Sequence, residues 1–171
     1  MYYSTTCPSP FGVITLACHG DNLVGLWLEG QKYHGDTIPE ATIKKDDEAV
    51  FSAAKEWLRR YFAGGKPDVA ELLLAPIGGE FRQSVWKILC EIPYGRVTTY
   101  GDIAKKMAVK MGRDSMSSQA VGGAVGHNPI SIIIPCHRVI ASNGSLTGYA
   151  GGIQTKAKLL ELEGADMANY F

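Results

Sequence analysis

The chain has 171 residues, 46% apolar and 20% charged, with a net charge of zero. At roughly 150 residues per domain this is one large domain or two small ones, with the composition of a folded globular chain and not of a disordered one. The longest apolar run, residues 72–77, is far short of the about 20 residues that a membrane-spanning helix needs.

The opening residues 1–7 lack the basic flank and apolar stretch of a secretory signal. Cys7, Cys18, Cys90 and Cys136 lie far apart and form no CxxC pair. They read as reduced thiols of a cytoplasmic protein, with no disulfide framework. Residues 1–78 carry 7 Lys/Arg against 10 Asp/Glu, and residues 79–171 carry 10 against 7. The mildly basic second half suits a polyanionic partner, although three charges alone argue it weakly.

In chain order, strand patterns at 13–17 and 23–28 flank the turn cluster Gly20-Asp21-Asn22, which predicts a β-hairpin. After a polar stretch, Asp46 or Asp47 offers a helix cap. Val50, Phe51, Ala54, Trp57, Leu58, Tyr61 and Phe62 then make one helical stripe that ends at Gly64-Gly65. That spacing fits a helix packed on the hairpin sheet better than a ligand surface.

Gly78-Gly79 marks a domain boundary, giving domains 1–78 and 79–171. Beyond it, Phe81, Val85, Ile88, Leu89 and Ile92 form a second helical stripe that stops at Pro93-Tyr94-Gly95. Thr98 or Thr99 caps a short helix reaching Ala104 and Met107. Ser115 or Ser117 opens another through Gln119, Gly122 and Gly123, closed by Gly126-His127-Asn128-Pro129. Two short helices after a longer one point to a helix-turn-helix, with a connection longer than the usual three or four residues. Gly122-Gly123 costs the helix about 1 kcal/mol per glycine, so its backbone is expected to approach something closely, either another helix or a nucleic-acid groove. Residues 132–134 read as a buried strand running into Pro135-Cys136-His137-Arg138. Asn143-Gly144 marks a tight turn, and a last helix over 153–163 ends at Gly164.

The chemistry lies in the second half. No two glycines stand in a GxG pair, and Gly65-Lys66 lacks the earlier glycine of a phosphate-binding loop, so no nucleotide cofactor is expected. Cys7, Cys18, His19 and His34 match no zinc spacing, so no metal is expected either. Cys136 follows the expected buried strand and precedes a histidine and an arginine that lower a thiol's pKa where they touch it. The alternative is a buried structural cysteine. In extended backbone His137 and Cys136 point to opposite faces, so a bridging water or a local kink must link them. Glu163 stands in the last turn of its helix, where the macrodipole disfavours a negative charge. It is either a solvated carboxylate or the orienting partner that a histidine base requires.

These residues in this order resemble the O6-alkylguanine-DNA alkyltransferases, also called methylated-DNA–protein-cysteine methyltransferases. The most specific stretch is residues 128–140 around Pro135-Cys136-His137-Arg138, followed by Gly148-Tyr149-Ala150-Gly151-Gly152 and Leu159-Leu160-Glu161-Leu162-Glu163-Gly164. Residues 81–86 and 93–101 and the Ser9-Pro10-Phe11-Gly12 opening also look like family segments. The resemblance implies an α/β N-terminal domain similar to ribonuclease H and a C-terminal winged-helix (helix-turn-helix) domain holding the site. It implies transfer of an alkyl group from O6 of guanine in double-stranded DNA to Cys136, once per molecule, by a monomer that needs no cofactor. By matched position His137 deprotonates Cys136 through a water, Glu163 orients His137, Tyr100 donates a proton to the leaving guanine, and Asn128 ties the recognition helix to the segment before Cys136. Val125, Val139, Tyr149 and Ala150 line the base pocket. Arg82, Gly101, Gln119, Ala120, Gly122, Gly123, Arg138 and Ser142 fall at DNA contacts in a minor-groove docking.

Three positions depart from the family pattern. Gln119 stands where an arginine usually fills the gap left by the flipped base. The loop over 108–118 is longer than usual, which puts Lys110 and Arg113 in place for phosphates. Ala150 replaces a serine seen in some members. Two rival readings remain from the residues themselves: a non-catalytic alkylguanine-lesion-binding protein of the same fold, and a cysteine hydrolase, which would need an oxyanion site and would turn over repeatedly.

Overall fold

A computed structural model describes all 171 residues, which divide into two compact units: Met1–Gly78 with Pro129–Ile133, and Gly79–Asn128 with Ile134–Phe171. No helix is long and apolar enough to cross a membrane.

The first unit is built on a four-stranded sheet in the order β3-β2-β1-β4. Strands β1 (Tyr2–Ser9), β2 (Gly12–His19) and β3 (Asn22–Leu28) form an antiparallel meander, and the short β4 (Ile43–Lys44) pairs parallel with β1. The expected hairpin is β2–β3. Strand β1 was not expected, because its Cys7-Pro8-Ser9-Pro10 end carries turn residues that mask the β-formers Tyr2, Tyr3, Thr5 and Thr6. Helix α1 (Ala49–Phe62) lies against β2 and β3, with Phe51, Ala54, Trp57, Leu58 and Tyr61 buried. This is the stripe read from the sequence. Its cap differs from expectation: Glu48 precedes the helix without a side-chain cap, while Asp46 accepts a hydrogen bond from the Thr5 hydroxyl at 2.6 Å.

The second unit contains α2 (Glu80–Cys90), α3 (Tyr100–Lys110), α4 (Ser118–Gly126) and α5 (Ile153–Leu162). Thr99 caps α3 by accepting the Asp102 N–H, and Ser117 caps α4 by accepting the Ala120 N–H. Helix α3 runs past Met107 to Lys110, so the connection to α4 is shorter than the sequence implied and Lys110 lies on a helix. Trp86 on α2 donates its indole N–H to the Ala124 carbonyl on α4 at 2.9 Å, which fixes the helix pair. Strands β5 (Thr98–Thr99) and β6 (Val139–Ile140) pair in parallel.

Residues 132–134 are buried as expected but form no strand. Ser131 uses its N–H on the Leu26 carbonyl, and its hydroxyl bonds the side-chain oxygen of Gln31. The chain then turns sharply, with Ile132 at φ 71° and the Ile133 N–H returning to the Ser131 carbonyl at 2.8 Å. A β-branched residue at positive φ is a strained conformation, one that the surrounding packing must impose. Beyond it Cys136–Arg138 is a single 3₁₀ turn, where extended backbone was expected.

Candidate functional site

The β5–β6 pairing explains how distant residues meet. Tyr100 opens the helix that follows β5, and the Cys136–Arg138 turn leads straight into β6. The ladder is parallel and only two residues long, so the Cys136–Arg138 turn enters it at one end and Tyr100 leaves it at the other, still within reach of the Cys136 charge. The 3₁₀ turn is the local kink that replaces the alternation of a strand. It lets two consecutive side chains, His137 and Arg138, both reach Glu163 at the C-terminus of α5.

Glu163 is the hub. Its Oε2 accepts the His137 Nε2–H at 2.6 Å and the Arg138 Nη2–H at 3.1 Å. Its Oε1 accepts the Arg138 Nε–H at 2.8 Å and the Gly95 backbone N–H at 3.1 Å. Burial pushes this carboxyl up, but the bonds and charges of His137 and Arg138 outweigh it and hold it well below the usual carboxylate range. The partner that the helix dipole argument required is therefore present, twice over.

With Nε2 donating to the carboxylate, the neutral ring of His137 carries its lone pair on Nδ1. That atom is buried and has no hydrogen-bond partner in the protein. Burial holds the imidazole neutral, pushing its pKa down against the raising effect of Glu163. Arg138, expected at a DNA contact, is instead buried, with an Nη1–H on the Ile92 carbonyl at 2.6 Å and its guanidinium against the Tyr94 ring.

Cys136 is buried at 4% exposure. Burial raises its thiol, opposed by the Asn128 side chain, the charge of Lys156 and the backbone N–H groups of the turn. The expected lowering by His137 and Arg138 is thus not found, because the imidazole rests neutral and the guanidinium charge is spent on Glu163. Asn128 donates its side-chain amide to the Ile134 carbonyl at 2.8 Å, joining the end of α4 to the approach to Cys136. The Tyr100 hydroxyl donates to the Thr147 carbonyl at 3.2 Å, and its pKa is pushed up to about 12 by burial and then by the Cys136 charge.

A groove of about 700 Å³ opens beside Tyr100 and gathers Gly101, Ser118, Gln119, Gly122, Gly123, Ser142 and Gly148. Gly122 and Gly123 therefore lie in a groove wall: a Cβ at Gly123 would meet open space, and one at Gly122 would only touch the Tyr100 ring at 3.9 Å. Of the other expected contacts, Ala120 is exposed on α4 and Arg82 is half-buried on α2, both outside the groove lining. Val125, Val139 and Tyr149 are buried and Ala150 half-buried. No group of three or more metal-ligating side chains is gathered anywhere in the chain.

Sequence reasoning missed Lys156. It lies in the first turns of α5, fully buried, with no acceptor for its Nζ. Its only signal was a lysine on the apolar side of a helix, at i−3 and i−4 from Leu159 and Leu160.

Residues 1–75 match the ribonuclease-like domain and residues 80–165 the DNA binding domain of 6-O-methylguanine DNA methyltransferase. The methylated-DNA–protein-cysteine methyltransferase of Mycobacterium tuberculosis H37Rv is 44% identical over 163 residues, covering 95% of this chain and 93% of that protein. The protein of the same name from Methanosarcina acetivorans is 43% identical over 166 residues, covering 96% and 99%. The crystal structure of Mycobacterium tuberculosis OGT in complex with DNA superposes with a TM-score of 0.78 at 42% identity, covering 99% of this chain and 94% of that one.

Proposed function

The chain belongs to the 6-O-methylguanine DNA methyltransferase family, and on that premise we propose that it repairs double-stranded DNA by moving the alkyl group from O6 of a damaged guanine onto its own Cys136. The observation that carries this reading is the buried Cys136-His137-Glu163 cluster next to Tyr100, at the edge of a groove walled by a glycine-bearing helix.

O6 of guanine lies inside the duplex, so the nucleotide must leave the stack, at a cost of a few kcal/mol. Helix α4 docks in the minor groove, where Gly122 and Gly123 let its backbone come close. Gly101, Gln119, Ala120 and Ser142 contact DNA around it, and Arg82 takes a phosphate beyond the groove. Phosphate contacts position the duplex without reading its sequence. The flipped base enters between Tyr100 and the Gly148-Tyr149-Ala150 loop, against Val125 and Val139.

The thiol proton passes to His137 Nδ1 through a water, and the imidazolium is stabilised by Glu163, already ionised and held by Arg138. The sulfur attacks the alkyl carbon, the carbon–O6 bond breaks, and its electron pair stays on the guanine, which takes a proton from the Tyr100 hydroxyl. Asn128 holds the turn that presents the sulfur. The product is a thioether, a poor leaving group, and no second nucleophile is placed to remove it. Each molecule therefore acts once, as a cytoplasmic monomer whose four cysteines are free thiols.

Intact mass after mixing the protein with O6-methylguanine DNA tests this. One methyl group gained, located on the peptide that holds Cys136, is the expected result. Retained lesion binding with unchanged mass would instead make the chain a non-catalytic lesion binder, and repeated ester cleavage would make it a hydrolase.

A further inference from the structure

Lys156 has no part in the chemistry above, yet it is the least explained side chain in the second unit. It is fully buried, and its Nζ finds no acceptor. Lysine is almost never fully buried unless paired, since an isolated ammonium in low dielectric is strongly unfavourable. A helix that merely needed apolar bulk at this position would carry leucine or methionine.

Three groups face it. The Tyr100 ring on α3 lies with its centroid 5.9 Å from Nζ. Cys136 and His137, both on the 3₁₀ turn, are close enough that the charge of Lys156 acts on their titration. Glu163 is already bonded to His137, Arg138 and Gly95. The one group facing Nζ that becomes an anion early in the reaction is therefore the sulfur of Cys136.

We propose that Lys156 is the counter-charge of the Cys136 thiolate: an ammonium that in the resting protein has only the face of the Tyr100 ring and no hydrogen-bond acceptor, and that gains an anion when the thiol ionises. This inference rests on the alkyl-transfer reading of the same site. It gives the buried cation a purpose and divides the labour around the sulfur. His137 with Glu163 receives the thiol proton, whereas Lys156 keeps its own proton and holds the charge left behind. Once the sulfur is alkylated the anion is gone and Lys156 is unpaired again. Lys156 acts on the sulfur by charge alone, so it is a positioning residue.

Three measurements separate this from a packing role. In Lys156→Met the thiolate absorbance of DNA-free protein, corrected with a Cys136→Ser control, should appear about one pH unit or more higher. Methyl transfer at neutral pH should slow about tenfold or more, since one unit of thiol titration is tenfold in thiolate. The melting temperature should hold or rise, because an unpaired buried amine has been removed. Lys156→Arg should restore the parental thiolate midpoint. The absorbance is read without DNA, so it tests the pairing even if the chain transfers nothing.

The unmutated protein supplies a test that survives misfolding of either variant. Burial lowers Lys156 to about 8, while Tyr100 and Cys136 are raised and His137 is lowered. Single-turnover transfer should therefore lose rate above about pH 8 as the ammonium deprotonates. A rate that keeps rising through that range, or a Lys156→Met thiolate midpoint and rate equal to the parent's, overturns the proposal.

Discussion

His137 and Arg138, adjacent in the chain, bond the same carboxylate: Nε2 of the one reaches Glu163 Oε2 at 2.6 Å, and Nε of the other reaches Oε1 at 2.8 Å. One carboxylate thus faces a permanent cation and a ring that must gain charge only during reaction. Because Arg138 already neutralises Glu163, the carboxylate can keep its charge while the imidazole stays neutral at rest.

Glu163→Gln should abolish methyl transfer and destabilise the fold by about 3–5 kcal/mol, because the buried Arg138 charge loses its partner. Single-turnover assays and thermal melts check both effects. The pH dependence has a definite sign. Glu163 and His137 both titrate lower in the folded state than unfolded. Their stabilisation is complete above about pH 6.5, the unfolded histidine value, and is lost as pH falls through their folded values. Acid melts of the parent should show that decline, and Glu163→Gln should flatten its most acidic part.

Arg138→Gln separates structure from DNA contact. A buried guanidinium with three of its five N–H groups on Glu163 and the Ile92 carbonyl is turned away from any phosphate. The variant should be less stable, while the slope of log affinity against log salt for duplex DNA stays that of the parent. A slope reduced by about one would make Arg138 a phosphate contact after all.

Gly148 sits at φ 95°, and a Cβ there would lie 2.7 Å from the Tyr100 hydroxyl. Gly148→Ala therefore both strains the backbone, by about 1–3 kcal/mol, and displaces the phenol. Transfer should slow at least as much as in Tyr100→Phe, with lesion-DNA affinity reduced as well because Gly148 lines the groove. Parental kinetics in Gly148→Ala would remove Tyr100 from the proton-donating role.

The parts legible in the sequence were those with local periodicity or local chemistry. The α1 and α2 stripes, the Thr99 and Ser117 caps and the β2–β3 hairpin follow from spacing within a dozen residues. The Pro135-Cys136-His137-Arg138 run reads as chemistry from its residues alone, whereas Glu163 takes its role only from the family resemblance. What could not be read was set by contacts distant in the chain. Ile132 takes positive φ because Leu26 and Gln31, about 100 residues earlier, hold Ser131. Arg138 looked like a free cation because Ile92 and Glu163 lie 46 and 25 residues away. Lys156 looked like an ordinary helix lysine because nothing local reports that its face is buried.

Gln119 stands in the groove where the resemblance implies an arginine, and it offers the sharpest test of docking. It is exposed on the first turn of α4 and lines the groove beside Ser118 and Gly122. A glutamine there can fill the space vacated by an extrahelical base and hydrogen-bond inside it, but it adds no charge to hold the opened duplex. Gln119→Arg should therefore tighten binding to O6-methylguanine duplex and steepen its salt dependence by about one counterion. It should raise transfer from duplex DNA more than transfer from single-stranded DNA, where no pairing has to be broken. Gln119→Ala should do the reverse, slowing duplex transfer while leaving single-strand transfer near the parent. Salt titrations and single-turnover rates on the two substrates read these effects directly. Equal responses on duplex and single strand in both variants would mean that α4 does not occupy the space left by the flipped base.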